Sequence, residues 1–270
     1  MSDNATSWLE QINAKKGGRQ YPDTKKVIEI FARFAKDEIS PEEAAENVAS
    51  TLEPLIKSDP TSPRITLVWS FVCDAIRAEG SSPDVSKRLI RFVEAMSKFE
   101  VKDESGETMK DELGEKFWAE LPGFAATFSD YGIAVQPSQH LELDEWLAQA
   151  TPYKNATTFA AIALSDDKSV PGVSSCLSRC MLETLENSDA EPSVEKRMKV
   201  YIPAASIWIL IAGRKVFELC SRNAVEGLSV HKWNLYRRKF GEIAGDERFD
   251  DSVRAGAKKA ADEMGRIFRM

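Results

Sequence analysis

Apolar positions recur at three- and four-residue spacing along most of this chain, the period of a helix with one buried face. Val27, Ile28, Ile30, Phe31 and Phe34 form the first clear stripe, over Asp23 to Lys36. Three helix starts follow with one chemistry: Ser40-Pro41-Glu42-Glu43, Ser62-Pro63 and Ser82-Pro83-Asp84. In each, a serine can cap free amides and a proline fits the first turn; in two, acid complements the positive end of the helix dipole. Pro54 is expected to end or kink the helix begun at Pro41, after Leu52. The next two helices present Ile65, Val68, Trp69, Val72 and Ile76, then Leu89, Phe92, Val93 and Met96, as buried faces.

Between residues 100 and 110 the apolar pattern stops, and the chain there reads as an exposed polar linker. Glu115 to Leu121 reads as a helix stopped by Pro122-Gly123, followed by the aromatic positions Phe124, Phe128 and Tyr131. Leu141 to Ala148 and Lys154 to Leu164 are expected as two helices parted by Thr151-Pro152. Further helices are expected at Gly172 to Asn187, His231 to Gly241 and Ser252 to Arg269, with an acidic loop at Ser188 to Pro192. No sustained period-two alternation occurs, so strands are not expected. The pattern predicts an all-α fold: a multi-helix array or orthogonal bundle of about ten helices with essentially no β-sheet. Residues 1–20 read as a polar segment with a short helix, opened by the capping box Ser7-Trp8-Leu9-Glu10 and closed by Gly17-Gly18. Residues 21–270 read as one helical domain, divisible into lobes 21–100 and 111–270 about the polar linker.

The longest apolar run lies in Val200 to Cys220, where only Ser206 is polar between Ala204 and Ala212. A helix apolar nearly all round is buried in a core or inserted in a membrane. The run falls short of the roughly 20 residues that a bilayer requires, and Arg214, Lys215 and Glu218 restore a polar face, so a core helix is expected. Pro203 fits its first turn. Gly213 costs about 1 kcal/mol against alanine inside a helix, which points to close approach by a neighbour there. Trp208 is the expected core anchor.

Composition narrows the setting. Across 270 residues, 43% apolar and 29% charged content is that of an ordinary folded protein. The net charge of −7 disfavours general attraction to nucleic acid or an anionic membrane. The N-terminus lacks a signal-peptide pattern, and four cysteines at this length do not form a disulfide framework. A cytoplasmic protein with access to the nucleus is expected, with no membrane or nucleic-acid role. The sequons at Asn4 and Asn155 are then expected to stay unmodified.

Motifs for chemistry are sparse. His140 and His231 are the two histidines, and neither sits in a zinc-binding or metalloprotease spacing. The chain has no GxGxxG, no GxxxxGK[ST] and no GxSxG. Cys176 and Cys180, four apart, share a helix face and read as small buried hydrophobes rather than metal ligands. No catalytic residue, metal or cofactor is therefore expected. Arg237, Arg238, Lys258 and Lys259 interleave with aromatic and aliphatic positions on the last two helices, and acidic neighbours dilute that basic face.

Four pieces carry a resemblance. They are Phe117-Trp118-Ala119-Glu120-Leu121-Pro122; Pro203-Ala204-Ala205-Ser206-Ile207-Trp208-Ile209 through Ala212-Gly213; Trp233 with Phe240 and Ala244; and Ala257, Ala260, Ala261 and Met264. In this order they resemble a family of uncharacterised, mainly fungal proteins, domain of unknown function 3632. The resemblance covers about residues 110–270 and implies a helical, intracellular protein with no established activity to transfer. The matching positions are of the kinds that specify packing.

The sequence thus leads to two expectations. The first is a non-enzymatic protein–protein interaction module with an unidentified protein partner, contacting it through Trp8 and the basic residues Arg237, Arg238, Lys258 and Lys259. The second is a small-molecule binder or cryptic enzyme with an apolar pocket near Trp208 and Trp233. Oligomeric state is open.

Overall fold

A computed structural model describes residues 21–133, 143–168, 170–186 and 192–269. The described residues form ten α-helices: α1 Pro22–Ala35, α2 Pro41–Ser58, α3 Pro63–Glu79, α4 Pro83–Met96, α5 Phe124–Thr127, α6 Leu143–Ser165, α7 Val173–Leu185, α8 Pro192–Arg222, α9 Val230–Ala244 and α10 Asp251–Phe268. Among those residues there is no strand, only three isolated bridges. The chain divides into two compact units, Met1–Gly132 and Ile133–Met270.

In the first unit the Ser-Pro starts act largely as the sequence indicates. Ser40 Oγ accepts from the Glu43 amide at 3.0 Å, and Ser82 Oγ accepts from the Val85 amide at 3.5 Å. Ser62 differs: it caps no amide, and its hydroxyl accepts from Arg64 Nε at 3.3 Å. Pro54 does not end α2, which runs on to Ser58. The lost hydrogen bond and ring clash cost about 3 kcal/mol. Burial of Leu55 and Ile56 on the far side, continuous with Leu52 and Val48, offsets that cost.

The core of this unit is aromatic. Phe31 packs tilted against Phe71 and Phe92, at 5.6 and 5.3 Å between ring centres. Trp69 stands edge-on to Trp118 and Phe124. Its buried indole N–H donates to the Pro122 carbonyl at 2.8 Å, so the largest side chain of α3 is polar-satisfied as well as packed. The expected helix over Glu115 to Leu121 does not form. Trp118 and Leu121 instead take left-handed conformations, φ 64° and 53°, which turn both side chains into the core.

The polar stretch from Lys102 is exposed, as its composition indicates, yet it is built rather than a plain tether. Lys102-Asp103-Glu104-Ser105-Gly106-Glu107 and Lys110-Asp111-Glu112-Leu113-Gly114-Glu115 are two copies of one loop. In each, the aspartate carboxylate accepts two backbone amides: Ser105 and Glu107 for Asp103, Leu113 and Glu115 for Asp111. Gly106 and Gly114 supply φ values of 85° and 84° that other residues rarely adopt. The Met109 amide donates to Val101 and the Phe117 amide to Met109, so the copies stack with an eight-residue register.

The second unit is organised on α8, which packs against α6, α7 and α10. Two expected breaks are absent. Pro152 lies inside the single helix α6, and Pro203 lies inside the 31-residue α8 rather than at its first turn. Residues 155–163 of α6 are buried all round, polar Asn155, Thr157 and Thr158 included. Its small residues Ala156, Ala160 and Ala163, with Ala204, Ala205 and Ala212 on α8, allow close packing of helices. Gly213 has the expected reason: a β-carbon there would come within 2.8 Å of Ile267 Cδ1 on α10. Ser229 and Asp250 cap α9 and α10 by accepting the amides of Lys232 and Val253.

Candidate functional site

The central helix α8 does not bury its whole apolar run. Trp208 is fully buried, as are Ala204, Ala205, Ile209 and Ala212. Leu210 and Ile211, by contrast, are 45% and 37% exposed. With half-buried Ile207 they lie at helical i, i+3, i+4 spacing, so they form one outward stripe that ends at exposed Arg214. The sequence reading missed this stripe, because a run apolar on every side carries no mark of which side faces water. Met198–Arg222 is long and apolar enough to cross a membrane by length and composition alone, and 56% of its most apolar stretch is buried within the protein.

Of the expected contact residues, Trp8 lies outside the described residues. Arg237, Arg238, Lys258 and Lys259 are all exposed on α9 and α10. Two have internal work. The Arg237 guanidinium lies 6.0 Å from the ring centre of half-exposed Phe268, and Arg238 pairs with Glu242 one turn on at 3.5 Å. Lys258 and Lys259 are left to solvent. The basic face is therefore smaller than the sequence count implies. Phe268 also stands edge-on to Phe217 at 6.0 Å, which extends an aromatic ledge beside Arg237.

Trp208 and Trp233, the residues expected to line a pocket, are both fully buried. Trp233 packs against Phe217 at 5.1 Å between ring centres. Around Trp208 lies a buried polar group. The Tyr153 hydroxyl, the Thr184 hydroxyl and the Trp208 indole N–H all approach the Cys180 thiol. Burial pushes that thiol up to about 11 and outweighs those donors, so it is held as a neutral S–H. Sulfur is a weak acceptor, and neither Thr184 Oγ1 nor Trp208 Nε1 reaches a hydrogen bond of full geometry. Burial likewise raises the Tyr153 phenol well above its usual range. A neutral thiol beside neutral hydroxyls is a poor nucleophile and a poor acid at pH 7. All four cysteines are buried free thiols, and burial raises Cys220 to about 11 as well. The described residues contain no group of three or more His, Cys, Asp and Glu side chains suited to a metal ion.

One ionic cluster in this unit was not legible in the sequence. Glu186, just beyond α7, accepts from the Tyr236 hydroxyl at 2.6 Å and pairs with Lys232. Burial opposes ionisation of Glu186, but Lys232 and Tyr236 together hold its carboxyl below the usual range. The same burial, and the bond to Glu186, raise the Tyr236 phenol. The cluster ties the end of α7 to the first turns of α9. His231 beside it is exposed at the helix start, and His140 lies outside the described residues.

The family-bearing pieces fall on packing positions. Trp118 and Leu121 are buried, as are Ala204, Ala205 and Trp208, Trp233 and Phe240, and Ala257, Ala260 and Met264. Comparisons with curated proteins and with solved structures return no match. A family profile, "Protein of unknown function (DUF3632)", matches residues 69–256, from the anchor Trp69 into α10. That is well over half of the chain, and the protein belongs to this family.

Proposed function

We propose that this protein is a non-enzymatic, intracellular helical module that binds another protein by seating a partner's amphipathic helix on α8. The observation that carries the reading is the exposure of Leu210 and Ile211, adjacent large apolar side chains on the central helix of their unit. Exposed apolar side chains at i, i+3 and i+4 spacing are the feature that helix-in-groove recognition uses. The basic residues nearby in sequence supply a polarity for the partner. From residue 214 onward the chain carries 13 Lys and Arg against 9 Asp and Glu, so an acidic rim on the partner helix fits. With the chain at −7 overall, we place it in the cytoplasm, without a membrane or nucleic-acid role.

The test is capture of partners from extract of the source cells with wild type and with Leu210→Glu/Ile211→Glu. The reading expects helicity and unfolding midpoint to stay close to wild type while one or more captured proteins are lost. Identical capture by a folded double variant would overturn it. Charge reversal at Arg237 and Arg238 should weaken the same capture without abolishing it.

A further inference from the structure

The two stacked loops of the first unit share one scaffold and differ at the tip. Each closes in the same way. The Asp103 amide donates to the Glu107 carbonyl at 2.9 Å, and the Asp111 amide to the Glu115 carbonyl at 2.8 Å. The Gly106 and Gly114 amides turn back to the Asp103 and Asp111 carbonyls, both at 3.1 Å. Before its glycine, the first loop carries Ser105 and the second carries Leu113. Ser105 has work inside its loop, since its hydroxyl donates to Asp103 Oδ1 at 2.7 Å. The Leu113 side chain has none. It is 85% exposed, the most exposed large apolar side chain among the described residues.

The serine loop is an internal control for the leucine loop. The same main-chain bonds and the same left-handed glycine form without an apolar side chain, so the loop's own fold does not require Leu113. The second loop also forgoes the hydroxyl bond that the first one makes. Single exposed leucines are common on protein surfaces, and it is the twin that sets this one apart. The main chain around Leu113 is already fixed, with the Leu113 and Glu115 amides donating to Asp111 Oδ1 at 2.9 and 2.8 Å. A side chain presented from an ordered loop gives up little conformational freedom on binding. The charge around it has one dominant sign. Residues 100–116 carry seven Asp and Glu against three Lys. Among the described residues Glu104, Glu107, Glu112 and Glu115 enter no ion pair, so the tips keep their negative charge.

We propose that the second loop is a docking knob for a basic protein partner, with Leu113 entering an apolar notch and the glutamates pairing with Lys or Arg around that notch. The sign of the charge selects the partner. An acidic partner meets unpaired glutamates, whereas a basic one neutralises them without breaking any internal pair. An apolar centre inside a charged rim is the ordinary anatomy of a contact between proteins. A helix that carries leucines flanked by lysines fits it. This inference does not rest on the α8 stripe, whose partner carries the opposite charge.

The experiment is an NMR titration of the full chain, methyl-labelled at leucine, with three model peptides of about 14 residues at constant ionic strength. One places lysine and leucine at amphipathic helical spacing, one replaces its leucines with serine, and one replaces its lysines with glutamate. The Lys/Leu peptide should produce saturable shifts at the Leu113 methyl groups and at the Glu112 and Glu115 amides. The Lys/Ser peptide should bind there at least roughly tenfold more weakly, and the Glu/Leu peptide should leave these signals in place. Leu113→Ser gives the second loop the residue of the first and should weaken Lys/Leu binding at least roughly tenfold. Leu210→Glu/Ile211→Glu should leave the Leu113 shifts unchanged, which separates this surface from α8. Absence of a saturable shift at Leu113, equal binding there by the Lys/Ser or Glu/Leu peptide, or unchanged binding in Leu113→Ser would each overturn the proposal. The peptide comparison uses the unaltered protein and decides the matter even where a variant fails to fold.

Discussion

Two helices of the second unit, α6 and α8, depart from their sequences in opposite directions. Over residues 155–163, α6 carries Asn155, Thr157 and Thr158 and is nonetheless buried on every side. Between Ala204 and Ala212, α8 has a single polar residue and nonetheless turns Leu210 and Ile211 outward. Composition therefore does not decide which helix is interior; the number of neighbours around it does. A fully enclosed helix tolerates hydroxyls that can bond back to its own carbonyls, as Thr158 does to Lys154 at 2.8 Å. A partly enclosed helix retains whatever apolar residues its outer face carries, and on α8 these are Leu210 and Ile211.

The sharpest way to break this comparison is at the shared core. Trp208→Ala removes the largest fully buried side chain of α8 and should destabilise the unit by about 3–5 kcal/mol in urea unfolding. A loss below about 1 kcal/mol would mean that α8 is not the central packing element.

Next in size is the ionic tie between α7 and α9. Glu186→Gln should cost about 1–2 kcal/mol at pH 7, since it weakens charge-assisted bonds to Lys232 and Tyr236. The folded carboxyl ionises below its ordinary value of 4.5, so this stabilisation is fully present above that value. It disappears as pH falls through the lowered value. Stability curves of variant and wild type should therefore converge in acid, and a gap that persists there would assign the loss to packing.

Thr157→Val tests the enclosed helix directly. Thr157 Oγ1 is buried with no hydrogen-bond partner, so a near-isosteric apolar side chain should leave stability unchanged or raise it by about 1 kcal/mol. The smallest effect is expected on the exposed helix. Leu210→Ser with Ile211→Ser should shift stability by only about 0.5 kcal/mol, as for surface positions. A loss of several kcal/mol would show the stripe to be core.

Much of the fold was legible. Ser40, Ser82 and their prolines mark helix starts because capping is local chemistry, and Gly213 marks a close helix contact because no other role explains a glycine there. Trp208 and Trp233 are buried as apolar bulk predicts, although their burial alone does not make a pocket. What escaped is what neighbours decide. Pro54, Pro152 and Pro203 each lie within a helix, and at Pro54 and Pro203 tertiary burial on both sides outweighs a local penalty of about 3 kcal/mol. The twin Lys-Asp-Glu-x-Gly-Glu loops were written in the sequence as an eight-residue repeat, but high polarity concealed that Asp103 and Asp111 organise them. The candidate surface was legible only in part. Arg237 and Arg238 are exposed as expected, yet Phe268 and Glu242 engage them, and the outward side of α8 showed only in the fold.

The most direct test of the central claim is site-specific photo-crosslinking in cells, with a benzophenone amino acid placed at position 210 and, separately, at 258. The α8 stripe predicts a discrete heavier adduct from position 210, lost when Ile211→Glu is added, and little or none from position 258. Adducts from position 258 alone, or from neither position in folded protein, would contradict it.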